Sequence, residues 1–102
     1  MMLKESVKLN GIKPELILSI LIANEVYQLH EIEFVITSVC DSKHSATNSL
    51  HYSGNAFDIR ISNIPTKEMI DQIYLEIRKR LTKDFQAILE TDHIHIEYQP
   101  IF

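Results

Sequence analysis

The hydrophobic and polar positions of the chain follow a helical period in two places. Apolar residues recur at helical spacing over residues 14–29, and Pro14 at the start suits a first helical turn. A second helical period runs over residues 69–81 and ends among basic side chains, which suit the negative end of a helix dipole. The sequence therefore predicts two main helices.

Other segments follow the patterns of strands. Residues 33–39 are rich in β-branched and aromatic side chains, which favours a buried strand. Residues 56–62 alternate apolar and polar side chains, which predicts a strand with one buried face. Residues 85–89 and 93–98 flank a tight turn and predict a hairpin. Residues 1–10 have no clear period and predict only a lead-in strand or arm.

Residues 40–55 are polar with almost no apolar period, and they predict a long exposed loop, a kind of segment that often carries function. The predicted order is helix, strand, long loop, strand, helix, strand, strand. This order favours an α+β fold: a single domain over residues 1–102, with an antiparallel sheet and two main helices.

Composition narrows the possible functions. The 102 residues, 45% of them hydrophobic, fit one domain with a modest core. The single cysteine, Cys40, excludes a disulfide framework and an all-thiolate metal cage. A net charge of −4 without a basic stripe argues against nucleic-acid binding. The longest apolar run, residues 16–23, is far short of the roughly 20 residues of a membrane span, and Glu15 before it argues against a secretory signal. We expect a monomer.

Histidine and carboxylate side chains are then the candidates for chemistry, and one set of them has the character of metal ligands. His51 follows the polar loop, Asp58 lies seven residues further on, and His95 lies in the last strand. Gly54 lets the backbone turn sharply between the first two. Zinc prefers imidazole nitrogen and carboxylate oxygen where thiolates are absent, and a catalytic site uses three protein ligands.

The last strand carries a pair of histidines. Because side chains alternate along a strand, His93 and His95 share one face while Ile94 and Ile96 point to the core. This pair is consistent with a metal site. It is equally consistent with a solvent-facing strand that holds two histidines and Glu97 on its polar face. Spacing alone leaves both interpretations open.

Two motifs resemble those of the zinc D-Ala-D-Ala carboxypeptidase family of peptidoglycan peptidases. Residues 49–58 match the family signature Ser-x-His-x-x-Gly-x-Ala-x-Asp at all five specified positions. The second motif, His-x-His on a late strand, is matched by residues 93–95. The resemblance covers about residues 11–98 and is strongest to small, phage-encoded members.

The resemblance implies a function and a fold. By similarity, His51, Asp58 and His95 would bind Zn²⁺ in a hedgehog/D-Ala-D-Ala-peptidase type of fold. The enzyme would hydrolyse an amide bond in the peptide stem of bacterial peptidoglycan, as a D-Ala-D-Ala carboxypeptidase or endopeptidase of the phage-lysin type. Such an enzyme would be made in the host cytoplasm and would act on the cell wall after release or from the virion. Which stem bond it cuts stays open.

Three further residues are candidates for catalysis. The family places an acidic residue three positions before the last histidine ligand, so Asp92 is the first choice for the general base, with His93 orienting the water or steadying the oxyanion. The alternative makes His93 the base, and Glu90 is a weaker candidate that could support a ligand histidine. Many relatives carry an arginine after the strand at 33–39. Here Lys43 is the nearby cation, either as an oxyanion or substrate contact or as a solvated loop lysine.

Two rival functions remain. The missing arginine is consistent with a catalytically inactive, zinc-containing binding or structural module of the same fold. A metal-free cysteine or serine hydrolase would need an activated nucleophile. Nothing in the sequence marks Cys40 as a thiolate or places a base behind Ser49.

Overall fold

The computed structural model describes residues 1–9, 11–40 and 55–99. Within these ranges the chain forms two helices and five strands. In chain order they are β1 (Met2–Leu3), α1 (Pro14–Leu29), β2 (Val35–Cys40), β3 (Ala56–Arg60), α2 (Lys67–Arg80), β4 (Phe85–Leu89) and β5 (His93–Tyr98). The predicted α+β class with two main helices is confirmed.

The strands form one mixed sheet, in the order β1-β2-β3-β5-β4 among the described residues. β1 is parallel to β2, and the other neighbours are antiparallel. The prediction of an antiparallel sheet is therefore wrong at this edge. A strand of only two residues has no period of its own, and α1 supplies the crossover that two parallel neighbours require. Backbone hydrogen bonds from Met2 N to Phe34 O and from Lys4 N to Ile36 O, both 2.8 Å, hold β1 in place.

Local signals explain where the elements begin and end. α1 and the two hairpin strands have the predicted bounds. α2 begins two residues earlier than its apolar period, because Thr66 caps it: the Thr66 hydroxyl accepts a hydrogen bond from Met69 N at 3.1 Å. Among the described residues, neither helix has the length and hydropathy of a membrane span.

Both helices share one core with one face of the sheet. The strands β3 and β5 contribute alternate residues to it, and Phe57, Ile59, Ile94 and Ile96 are all fully buried. Because the side chains of a strand alternate, the residues between them lie on the face away from the core. That face carries the polar side chains of β3 and β5.

Tyr27 ties α1 to the end of β3. Its ring is fully buried and packs edge-on against Phe34, with ring centroids 5.2 Å apart. Its hydroxyl donates a hydrogen bond of 2.8 Å to the carbonyl oxygen of Arg60, and burial raises the pKa of this hydroxyl. The contact fixes the helix layer against a central strand of the sheet, on which the candidate site is built.

Candidate metal centre

Two central strands bring the candidate ligands together. β3 and β5 pair antiparallel in a register that sets Asp58 directly opposite His95 and Arg60 opposite His93. Directly opposed side chains on one face of a sheet lie about 5 Å apart at their Cβ atoms. Residues 37 positions apart in sequence thus become neighbours on the face that does not pack against the helices.

The ligand atoms of this cluster are close enough together to hold a metal ion. Asp58 Oδ1 lies 2.7 Å from His95 Nδ1 and 3.6 Å from His93 Nε2, and the three ligand atoms lie within 4.8 Å of one another. Two ligands of a tetrahedral zinc ion are about 3.3 Å apart, given zinc–ligand bonds of about 2.0 Å. Small side-chain shifts would therefore bring these donors to coordination distance. Their chemistry, one carboxylate and two imidazoles, fits zinc.

Both ring nitrogens of His95 contact carboxylates. Nδ1 lies 2.7 Å from Asp58 Oδ1, and Nε2 lies 3.0 Å from Glu97 Oε1. The hydrogen bond with Asp58 is the main cause that raises the pKa of His95 to about 9; burial of the ring lowers it in part, and Glu97 raises it further. Without a metal ion, His95 is therefore a cation at neutral pH, and a metal ion would displace its proton.

This raised pKa predicts how the stability of the metal-free protein depends on pH. The His95 cation interacts with its carboxylates only when folded, so its contribution is complete below pH 6.5 and is lost as pH rises through about 9. A shift from 6.5 to about 9 corresponds to about 3 kcal/mol. We expect the free energy of unfolding, measured by urea denaturation in excess chelator, to fall by about this amount between pH 6 and pH 10.

The matched control for this titration is the His95→Gln variant, which lacks the ionisable ring. We expect its unfolding free energy to change much less over the same pH range. Equal losses in the wild-type protein and in the variant would assign the pH dependence to other groups.

Asp92 and His93 form a second contact beside the cluster. Asp92 Oδ1 lies 2.6 Å from His93 Nδ1, while the other ring nitrogen of His93 faces Asp58. The Asp92 side chain is 86% exposed, against 28% for His93. The histidine thus lies between the aspartate and the cluster, and the aspartate reaches the cluster through the ring.

The structure brings together four of the six residues predicted for the site. Asp58, His95, His93 and Asp92 form one connected group. The other two, His51 and Lys43, lie outside the described residues, as do Gly54, Ser49 and the side chain of Cys40. Their predicted roles stay predictions.

Sequence reasoning assigned no role to two residues of this face. Glu97 contacts His95, and Arg60 lies half-buried opposite His93. Among the described residues the Arg60 guanidinium has no ion pair, while its carbonyl accepts from Tyr27. The alternation of side chains along a strand could have indicated both residues. Arg60 is two positions from Asp58 and Glu97 is two positions from His95, so each pair shares a face of the sheet.

Comparisons of the chain with protein-family models, with curated proteins and with solved structures give no match.

Proposed function

We propose that this protein is a zinc metallopeptidase that hydrolyses an amide bond in the peptide stem of bacterial peptidoglycan, as enzymes of the phage-lysin type do. The observation that carries the proposal is the cluster of Asp58, His93 and His95 on one face of the sheet. Two of these are residues that the family resemblance assigns to the metal, and the third belongs to the family's His-x-His motif. The mixed sheet with both helices on one face is compatible with the hedgehog/D-Ala-D-Ala-peptidase type of fold, which we propose for the chain.

The donor set supports a catalytic site. Asp58 and His95 supply two protein ligands, and His51 is the third ligand in this proposal. A zinc ion bound there supplies Lewis acidity, which polarises a peptide carbonyl and lowers the pKa of a water molecule. The site lies on the face of the sheet opposite the core, where the side chains of Asp58, His93 and His95 are 19–28% exposed.

The contact between Asp92 and His93 supports separate roles for these two residues in proton transfer. A carboxylate at Nδ1 holds the proton on that nitrogen and leaves the lone pair of Nε2 directed toward Asp58. His93 Nε2 is then the atom that accepts a proton from the attacking water, and Asp92 stabilises the resulting cation. This arrangement favours the alternative in which His93 is the base, with Asp92 as its partner.

One basic side chain on this face, Arg60, supports contact with a substrate carboxylate. Arg60 lies beside His93, and Lys43 is the predicted second cation. Peptidoglycan stem peptides carry free carboxylates, which an arginine can bind through two parallel hydrogen bonds. We propose that Arg60 orients the peptide in this way.

One observation favours the rival, a zinc-containing module without hydrolytic activity. Asp92, the first choice for the base, is 86% exposed and contacts His93 rather than the ligand atoms around Asp58. A module that only binds would need the ligands and no base. The two functions differ in whether a zinc-loaded protein cleaves peptide bonds.

Digestion of purified peptidoglycan with the zinc-loaded protein tests the proposal. We expect mass spectrometry to show muropeptides shortened at one stem bond, whose identity then names the specificity. Excess chelator should abolish the cleavage, and added zinc should restore it.

A matched control is His30→Ala, which removes a histidine at the C-terminal end of α1 and leaves the sheet face unchanged. This variant should cleave as the wild-type protein does. Cleavage that persists in chelator would contradict the metallopeptidase, and stoichiometric zinc without cleavage would support the inactive module instead.

A further inference from the structure

Glu97 lies next to the candidate ligand His95 on the same face of β5, and its side chain is only 12% exposed. Its two carboxylate oxygens contact different partners. Oε1 lies 3.0 Å from His95 Nε2, and Oε2 accepts a hydrogen bond of 2.5 Å from Gln99 Nε2. Ala56 on β3 is directly opposite Glu97, so a small side chain leaves room for the carboxylate. The Glu97 carboxylate is thus held in place behind the ring of the proposed ligand His95.

The geometry separates the two sides of the His95 ring. Nδ1 faces Asp58 Oδ1, and this oxygen also lies near His93 Nε2, so the metal position is on the Nδ1 side. The two nitrogens of an imidazole point in divergent directions. Glu97, on the Nε2 side, is therefore not placed to bind the same ion.

The role of Glu97 depends on which nitrogen of the His95 ring carries the hydrogen. A neutral imidazole carries one N–H, and the nitrogen without it offers the lone pair that a metal ion needs. When Asp58 binds a metal ion, it no longer accepts a hydrogen from Nδ1. Glu97 is then the acceptor that keeps the hydrogen on Nε2 and the lone pair on Nδ1.

We propose that Glu97 is a positioning residue for the metal ligand His95, and that Gln99 in turn holds Glu97. The pair selects the tautomer in which Nδ1 binds the ion, and it fixes the plane of the ring. This inference rests on the metal site of the proposed function, and not on hydrolysis.

Zinc binding by Glu97→Ala and Glu97→Gln tests the proposal, with zinc ion alone as the probe in calorimetry against a competing chelator. Removal of a carboxylate behind a ligand histidine typically weakens metal binding by about 10- to 100-fold, and we expect a loss of this size for Glu97→Ala. Glu97→Gln keeps an oxygen that can accept from Nε2, so it should bind zinc within a few-fold of wild type. Glu68→Gln, which removes the same charge from α2, is the matched control and should bind as wild type does.

A second readout tests directly which nitrogen of His95 binds the metal ion. In ¹⁵N NMR spectra of the zinc-loaded wild-type protein, His95 should carry its proton on Nε2 and the metal on Nδ1. This measurement needs no variant, so it stands even if Glu97→Ala does not fold.

Three outcomes would overturn the proposal: zinc bound through Nε2 of His95, Glu97→Ala affinity within about twofold of wild type, or no zinc binding by the wild-type protein. The last would also remove the proposed function. Wild-type zinc binding that is weakened in Glu97→Ala, without any peptidoglycan cleavage, would support the positioning role and contradict the peptidase.

Discussion

Replacement of Asp58 by Asn is expected to weaken zinc binding more than 100-fold and to abolish cleavage of peptidoglycan. Asp58 Oδ1 lies 2.7 Å from Nδ1 of the proposed ligand His95 and 3.6 Å from Nε2 of His93. The substitution removes the negative charge that offsets the ion. Loss of a residue that only supports a metal ligand already weakens metal binding by about 10- to 100-fold, so loss of a direct ligand should weaken it more. Metal analysis after dialysis and calorimetry with zinc measure the effect.

The control is Asp71→Asn on α2, which removes the same charge from an exposed side chain that pairs with Lys67. Its zinc content and activity should equal those of the wild-type protein. If Asp58→Asn kept one tightly bound zinc per chain, the proposed centre would be wrong, whatever the activity of the variant.

Replacement of His93 by Ala is expected to lower the cleavage rate by about 10²- to 10⁴-fold, the usual contribution of a general base. Zinc should still bind within about tenfold of wild type, because His51, Asp58 and His95 are the proposed ligands. The rate of single-turnover cleavage, measured together with zinc affinity, separates the two effects. His51→Ala should instead weaken zinc binding, and its cleavage should fall as a consequence.

Asp92→Asn extends this prediction to the pair. Because Asp92 contacts the ring through Nδ1, it should act through His93, and groups that act as a unit have non-additive effects. We expect Asp92→Asn to lower the rate, and the double variant to be no slower than His93→Ala alone. Additive losses would make Asp92 an independent base. Loss of zinc in His93→Ala would make His93 a ligand.

Much of the secondary structure could be predicted from local pattern. Pro14 starts α1, and the hairpin strands have the predicted bounds. The start of α2 lies two residues before its apolar period, and the cap at Thr66 is the short-range signal that sets it. Alternation along β3 and β5 also predicted which residues leave the core, since Ile94 and Ile96 are buried and the histidines beside them are not. These properties depend on residues within a few positions of one another.

The geometry of the site could not be predicted from local pattern. The motif spacing named Asp58 and His95 as partners, but spacing alone does not give the register that sets them opposite each other or sets Arg60 opposite His93. The contact of Asp92 with His93 Nδ1 and that of Glu97 with His95 Nε2 depend on side-chain direction, which sequence distance does not specify. The parallel edge strand of two residues was likewise invisible to any period.

By itself, then, the sequence determined the kind of element at most positions and the residue types that could bind a metal ion, because periodicity and donor chemistry are local properties. Only the tertiary structure decided that β3 lies between β2 and β5, that one carboxylate oxygen meets two imidazoles, and that a second carboxylate lies behind one of them. Strand order and register arise from packing a whole sheet against its helices, and residues 37 positions apart meet only after that packing is complete.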